Sequence, residues 1–117
     1  TSVTSDFSVA ASFDFTYVSL TIPTGITVAA SSTTNQVTIK WTNNGSAYYW
    51  VYYSKTNDSS TATCATRFSS SGTYGYDVAL AETGTYYFWV KSSDGYSTTS
   101  VTSDFSVAAS FDFTYVN

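Results

Sequence analysis

The most constraining feature of this sequence is an exact internal duplication. Residues 1–18, which read TSVTSDFSVAASFDFTYV, recur without a change as residues 99–116. Chance does not produce an identity of this extent, and the offset of 98 residues between the copies is the length of one small domain. The duplication therefore predicts one module over residues 19–117, which contains its own last strand, preceded by residues 1–18 as a second copy of that strand.

Each copy alternates apolar and polar side chains with a period of two, which is the periodicity of a β-strand. The pattern predicts a long strand with its apolar residues on one face, and a groove that accepts one copy should accept the other. We expect these apolar residues to make the contacts between modules, or between chains that exchange strands. They are Phe7, Val9, Phe13, Phe15 and Tyr17 in the first copy and Phe105, Val107, Phe111, Phe113 and Tyr115 in the second.

The sequence between the copies also has the pattern of short strands. β-Branched and aromatic residues fill its apolar stretches, and turn-forming clusters such as SSTTN, TNNGS and TNDSST separate them. Six or seven such strands in one domain-length segment predict an all-β fold, namely a two-sheet antiparallel β-sandwich with an extra duplicated terminal strand. A β-barrel is the alternative.

A set of apolar and aromatic positions follows the order of a known domain pattern: Pro23; Val37, Ile39 and Trp41; Tyr49, Val51 and Tyr53; Leu80 with Tyr86 six residues later; and Phe88 with Val90. Through these positions residues 20–110 resemble a fibronectin type III domain, one of the immunoglobulin-like β-sandwiches, in which Tyr86 would be the corner residue. The resemblance implies the fold of that family, with a tyrosine corner near the start of its sixth strand. Family members are mostly spacers, adhesive modules or accessory domains of secreted enzymes, and this sequence departs from their pattern by extending its last strand through SFDFTYV.

Composition narrows the class of partner. Charged residues make up only 10% of the chain, and 21 Ser and 21 Thr supply most of its polar groups, which favours an extracellular or cell-surface location. The net charge of −4 argues against binding to phosphate backbones, so nucleic acid is not an expected partner. No apolar run approaches the ~18 residues that a membrane-spanning helix needs, so membrane insertion is not expected either.

The sequence offers few groups for catalysis or metal binding. It contains no histidine, the commonest general base and metal ligand, and no G-x-S-x-G motif. Asp6 and Asp14, like their copies Asp104 and Asp112, are eight residues apart, too far to share an ion. We therefore expect no enzyme activity, no metal site and no cofactor. The single cysteine, Cys64, is interpreted as a small apolar filler, with an intermolecular disulfide as the alternative.

An unusual aromatic surface is predicted on two neighbouring strands, AYYWVYYS and GTYYFWVKSS. If Tyr49, Val51 and Tyr53 face the core, alternate rings face outward, and isolated monomers rarely expose such a surface. It predicts either a platform that stacks on the sugars of a polysaccharide or a face covered by a neighbouring repeat, a chain-end segment or another filament, and we favour the second. The outward rings are Tyr48, Trp50, Tyr52, Tyr87 and Trp89.

These features predict a non-catalytic structural repeat of an extracellular fibre, stalk or adhesin of the bacterial or archaeal surface type, whose main partner is another copy of itself. Residues 1–18 would be the last strand of a preceding module in a tandem array, or would complete the sheet of another chain by donor-strand addition. Deliberate copying by protein engineering would give the same sequence. The alternative function is a carbohydrate-binding module. Two N-glycosylation sequons, at Asn44 and Asn57, fall in predicted turns.

Overall fold

The computed structural model describes residues 20–69, 75–95 and 97–117 of the chain. Within these ranges the backbone forms seven β-strands and one short 3-10 helix, Ser59–Thr61. No helix in this part of the chain is long and apolar enough to span a membrane. The strands are β1 (Thr27–Ala30), β2 (Gln36–Lys40), β3 (Tyr48–Ser54), β4 (Thr63–Ser69), β5 (Gly75–Ala79), β6 (Gly84–Ser93) and β7 (Ala109–Phe113).

The strands form two antiparallel sheets. One sheet has the order β1-β2-β5, and the other has the order β4-β3-β6-β7. β3 and β6 form the centre of the larger sheet and pair from Tyr48 opposite Ser93 to Ser54 opposite Tyr87. The predicted two-sheet antiparallel β-sandwich is confirmed, and the described strands do not close into the alternative barrel.

The core lies between the two sheets and is built from alternate residues of facing strands. Period-two alternation turns one side of each strand inward, where full burial of a large apolar side chain contributes about 1.5–3 kcal/mol. Tyr53, which was also predicted to face inward, is half-buried and packs against this core. Among the described residues, the hydrophobic core side chains that are 0% exposed are Val37, Ile39, Tyr49, Val51, Phe88 and Val90.

A tyrosine corner ties the connection between β5 and β6 to the core. Tyr86 is buried, and its hydroxyl donates a 2.8 Å hydrogen bond to the backbone carbonyl of Glu82. The Tyr86 ring packs edge-on against Phe113. Burial raises the pKa of the Tyr86 hydroxyl, so the group stays protonated and able to donate at neutral pH. The corner that the resemblance implied is therefore present.

The C-terminal pole is the end of the sandwich where β6 begins and the chain leaves the domain. Asn35, in the turn between β1 and β2, has a left-handed backbone with φ 61°. Its side-chain Nδ2 donates to the carbonyl of Val116 at 2.8 Å, and the Val116 N–H donates to Asn35 Oδ1 at 2.8 Å. The Tyr115 N–H donates to Thr83 Oγ1 at 2.9 Å. The chain is thus tied to the domain as far as Val116.

The N-terminal pole is the opposite end, where β6 finishes and the chain enters the domain. The carbonyl of Thr21 accepts two hydrogen bonds there, from Asn44 Nδ2 at 2.9 Å and from Ser92 Oγ at 2.7 Å. Pro23 is fully buried two residues later. The chain is therefore fixed to the domain from Thr21 onward.

Cys64 lies on β4, the edge strand beside β3, and is half-buried with a free thiol. The thiol donates a hydrogen bond to the backbone carbonyl of Thr66, with 3.5 Å between sulfur and oxygen. This placement fits a small side chain that fills space on the strand, and the intermolecular disulfide stays a prediction.

Replacing Tyr86 by phenylalanine removes the corner hydrogen bond and leaves the ring in place. We expect the free energy of unfolding to fall by about 0.5–1.5 kcal/mol, the usual net contribution of one intramolecular hydrogen bond. Urea unfolding followed by tryptophan fluorescence measures the change. Tyr87→Phe is the matched control, because Tyr87 lies on the same strand and its hydroxyl has no hydrogen-bond partner among the described residues. An equal loss in both variants would contradict the role of the corner.

Candidate functional site

The second copy of the duplicated segment runs along the edge of β6 that does not pair with β3. We call this edge the β6 edge. Its regular strand, β7, pairs with β6 from Phe113 opposite Gly84 to Ala109 opposite Phe88. Phe113 is buried and Phe111 packs against the core of the same module. Their predicted role in contacts between modules stays a prediction. This strand is shorter than the sequence pattern indicates. The first-copy residues Phe7, Val9, Phe13, Phe15 and Tyr17 lie outside the described residues.

Two buried serines continue the pairing before β7 begins. The Ser103 N–H donates to the Ser92 carbonyl at 2.8 Å, and the Ser92 N–H donates back to Ser103 Oγ at 3.0 Å. Ser106 repeats this arrangement with Val90, at 3.0 Å to the carbonyl and 2.9 Å from the amide. Each serine hydroxyl therefore takes the place of the carbonyl that a regular strand would supply, and the buried amides of β6 stay satisfied.

The serines also change the register between the two segments. Three residues of the duplicated segment match two residues of β6, so the alternation of side chains is interrupted between successive contacts. Neither the spacing of apolar residues nor the turn signals indicate this, although the pattern S-x-x-S-x-x-A is visible in both copies. In the second copy Ser103, Ser106 and Ala109 lie beside Ser92, Val90 and Phe88.

The changed register turns Phe105 onto the outer face of the larger sheet. Its ring contacts Tyr52 edge-on, with 4.9 Å between centroids, and lies 6.2 Å from Trp89. Val107 is 86% exposed. The expectation that Phe105 and Val107 lie on the same face as Phe111 and Phe113 is therefore wrong, because the three-for-two register rotates the segment between them.

The predicted aromatic surface is largely covered by this same segment and by the loop before it. Trp50 is 5% exposed and Trp89 is 4% exposed, although both lie on the outer face of the sheet. The indole Nε1 of Trp50 donates to the carbonyl of Gly95 at 2.7 Å. Burial raises the pKa of the Tyr52 hydroxyl. Tyr48 and Tyr87, like Tyr52, are half-buried.

Basic side chains complete the cover. The Arg67 guanidinium lies over the Trp50 ring at 4.3 Å from its centroid, and Lys91 Nζ lies over the Phe105 ring at 4.1 Å. Such contacts stabilise by about 0.5–1 kcal/mol at exposed sites. The chain's own end segment and two of its four basic residues therefore occupy the face that a sugar would need.

The two sequons differ in their surroundings. Both hydrogens of the Asn44 amide are used, because Nδ2 donates to Thr21 at 2.9 Å and to Ser92 Oγ at 3.0 Å. Its Oδ1 accepts from the Tyr49 hydroxyl at 2.9 Å. A glycan on Nδ2 would replace one of these two N–H groups and so remove one of the two hydrogen bonds, while Ser92 Oγ would still bind the Thr21 carbonyl. Asn57 is exposed, so only this sequon presents its amide freely to solvent.

Among the described residues, no group of three or more His, Cys, Asp or Glu side chains is arranged to hold a metal ion. Lys55 and Glu82 form an exposed ion pair, in which the hydrogen bond to Glu82 raises the pKa of the lysine. Ser103, Ser106 and Asn35 hold the backbone of the second copy in place through hydrogen bonds. No motif in the sequence marks these residues as functional. Their partners are distant in sequence and were missed for that reason.

Comparison with known proteins establishes the fold. No protein-family model and no curated protein sequence matches the chain. An Fn3-like protein from Clostridium thermocellum is similar, with a TM-score of 0.64 and 20% identity over 83% of this chain and 96% of that one. A β-sandwich protein from a computer-based redesign is similar with a TM-score of 0.59 and 20% identity, over 84% and 94% of the two chains. The fold is a fibronectin type III-like β-sandwich, and a fold does not by itself define a function.

Replacing Ser106 by alanine leaves the buried N–H of Val90 without an acceptor. We expect the free energy of unfolding to fall by about 1–3 kcal/mol, the cost of an unsatisfied buried donor. Hydrogen exchange at the Val90 amide should become faster, as measured by NMR. The control is Ser110→Ala, since Ser110 is exposed on β7. Unchanged protection of the Val90 amide in the Ser106 variant would contradict the role of the hydroxyl.

Proposed function

We propose that this chain is a non-catalytic structural repeat of an extracellular fibre, stalk or adhesin, and that its modules follow one another head to tail in a tandem array. In this array residues 1–18 are the last strand of the preceding module. The observation that carries the proposal is the distance between the two poles of the sandwich, which decides where a second copy of the strand can act.

The first copy is too close in sequence to Thr21 to occupy the β6 edge of its own module. By identity, Val18 corresponds to Val116, which is clamped at the C-terminal pole. Thr21 is attached to Ser92 at the N-terminal pole. The poles are separated by β6, which from Gly84 to Ser92 is about 26 Å long. The three peptide units from Val18 to Thr21 span at most about 11 Å.

The first copy can therefore serve as a last strand only on another module. In a tandem array that module is the one before it in the same chain, and no rearrangement is needed. Exchange between chains is less favourable, because the β6 edge is already filled by an identical segment. Replacing it gains no contact, and association costs about 4–15 kcal/mol in lost translational and rotational freedom.

The polar surface agrees with a role outside the cell. Ser and Thr, rather than charged residues, supply most of its polar groups. The alternative function, carbohydrate binding, has less support, because Trp50 is buried beside Gly95 and Arg67 and Trp89 is buried beside Phe105. Stacking on a sugar would first require these groups to move away from the sheet.

A truncated chain of residues 1–98 tests whether the first copy is a functional last strand. It lacks the second copy, so its β6 edge is empty while its first copy is free. We expect head-to-tail oligomers whose mass grows with concentration, as measured by light scattering. The matched control is the same chain with Phe15→Asp, which places a charge at the position equivalent to buried Phe113 and should block assembly.

Two further chains complete this test. The full chain and residues 19–117 should both be monomers, with free energies of unfolding within about 0.5 kcal/mol of each other, because residues 1–18 add no strand to their own module. The free peptide TSVTSDFSVAASFDFTYV should cap residues 1–98 as a folded monomer. If the peptide caps them but the truncated chain never assembles, the first copy cannot serve another module and the proposal is wrong.

A further inference from the structure

We propose that successive modules meet in a fixed joint, in which the C-terminal pole of one module packs directly on the N-terminal pole of the next. This inference rests on the tandem array proposed above and specifies its geometry. The partner of each pole is a second copy of the module.

The chain is held in place up to the last residue of the duplicated segment. Asn35 binds both the N–H and the carbonyl of Val116 at 2.8 Å, which fixes the orientation of that peptide as well as its position. Asn35 is itself attached to the core, because the Leu80 N–H donates to its carbonyl at 3.0 Å. Tyr115 is held by Thr83. The C-terminal pole therefore directs the chain at a defined angle.

The next module binds the chain again at Thr21, three residues after Val18. Its Thr21 carbonyl accepts from Asn44 and Ser92, and the Thr42 N–H donates to the Thr24 carbonyl at 2.9 Å. These contacts attach residues 21–24 to two separate parts of the domain. The N-terminal pole therefore receives the chain in a defined direction.

Only Ser19 and Leu20 lie between the two attachments. The α-carbons of Val18 and Thr21 can be at most about 11 Å apart. Side chains at the facing poles are then within reach of one another. A linker of two residues, unlike a Gly/Ser-rich one, also leaves little freedom for the modules to rotate.

Both poles carry apolar side chains that a joint would cover. Val116 is 57% exposed and Tyr115 is 38% exposed at the C-terminal pole, and Ile22 is 42% exposed at the N-terminal pole. A groove of about 440 Å³ opens beside Ile22, between residues 22–26 and 105–108. Because the linker is short, the effective concentration of one pole at the other is very high, so even a small apolar contact suffices to close the joint.

A two-module protein tests the joint. It consists of residues 1–116 followed directly by a second copy of residues 19–116, and its matched control carries a Gly-Ser-Gly-Ser insertion between the two. Nitrogen-15 NMR relaxation measures the rotational correlation time. We expect the uninterrupted protein to tumble as one elongated body, with a time at least about twofold longer than that of one module, and the insertion to return both modules towards independent tumbling.

Point variants at the poles separate contact from linker length. Val116→Ser in the first module and Ile22→Ser in the second remove exposed apolar groups, keep the backbone clamps and should each shorten the correlation time towards that of the insertion. The joint is refuted if the uninterrupted protein already tumbles as two independent modules while the β6 amides of both remain protected from hydrogen exchange. Loss of that protection in one module would instead refute the tandem array.

Discussion

The structure depends on hydrogen-bond partners for the backbone N–H and C=O groups along both edges of β6. β6 is the longest described strand, and it lies between β3 and the duplicated segment. Its inward side chains are central to the core, so its amides are remote from water and require partners within the protein. β7 alone satisfies only the first half of the strand. Ser103 and Ser106 satisfy the second half with their hydroxyls, at Ser92 and Val90.

The second copy, residues 99–116, meets this requirement. Val101 begins the contact, since its carbonyl accepts from the Asp94 N–H and its own N–H donates to Asp94 Oδ1. Val116 ends it in the clamp of Asn35. The 18 duplicated residues therefore contain every described contact that the segment makes with β6, together with its attachment at the C-terminal pole. A shorter copy would leave part of the edge open.

Sequence patterns predicted the fold because they report on local alternation. The inward positions of Tyr49, Val51 and Phe88 follow from period-two burial, and Leu80 with Tyr86 indicated the corner. The register of the duplicated segment could not be predicted in this way. Its apolar residues alternate without interruption, so the sequence alone favours one continuous strand. It does not indicate a segment in which three residues match two residues of β6 after each of the two serines.

The two poles illustrate a second limit. Asn35 and Asn44 both lie in turns, where asparagine needs no partner beyond its own backbone. Their actual partners include Val116, 81 residues from Asn35, and Ser92, 48 residues from Asn44. The periodicity of apolar residues and the secondary-structure propensity of each residue do not indicate which distant residues form such pairs. The same is true of Trp50 and Trp89, whose outward direction follows from alternation but whose burial involves other parts of the chain, Gly95 and Arg67 at Trp50 and Phe105 at Trp89.

In the proposed tandem array, the clamps would fix the direction of the chain from one module to the next although the chain has few charges. Each pole holds the backbone through asparagine and hydroxyl groups, so its direction does not depend on salt-sensitive ion pairs between modules. Stiffness then follows from the number of residues between the clamps. Ser19 and Leu20 are enough to connect two modules but too few to separate them, so the covalent chain itself limits rotation. The apolar contact at the joint needs only to select one orientation among the few that the linker permits.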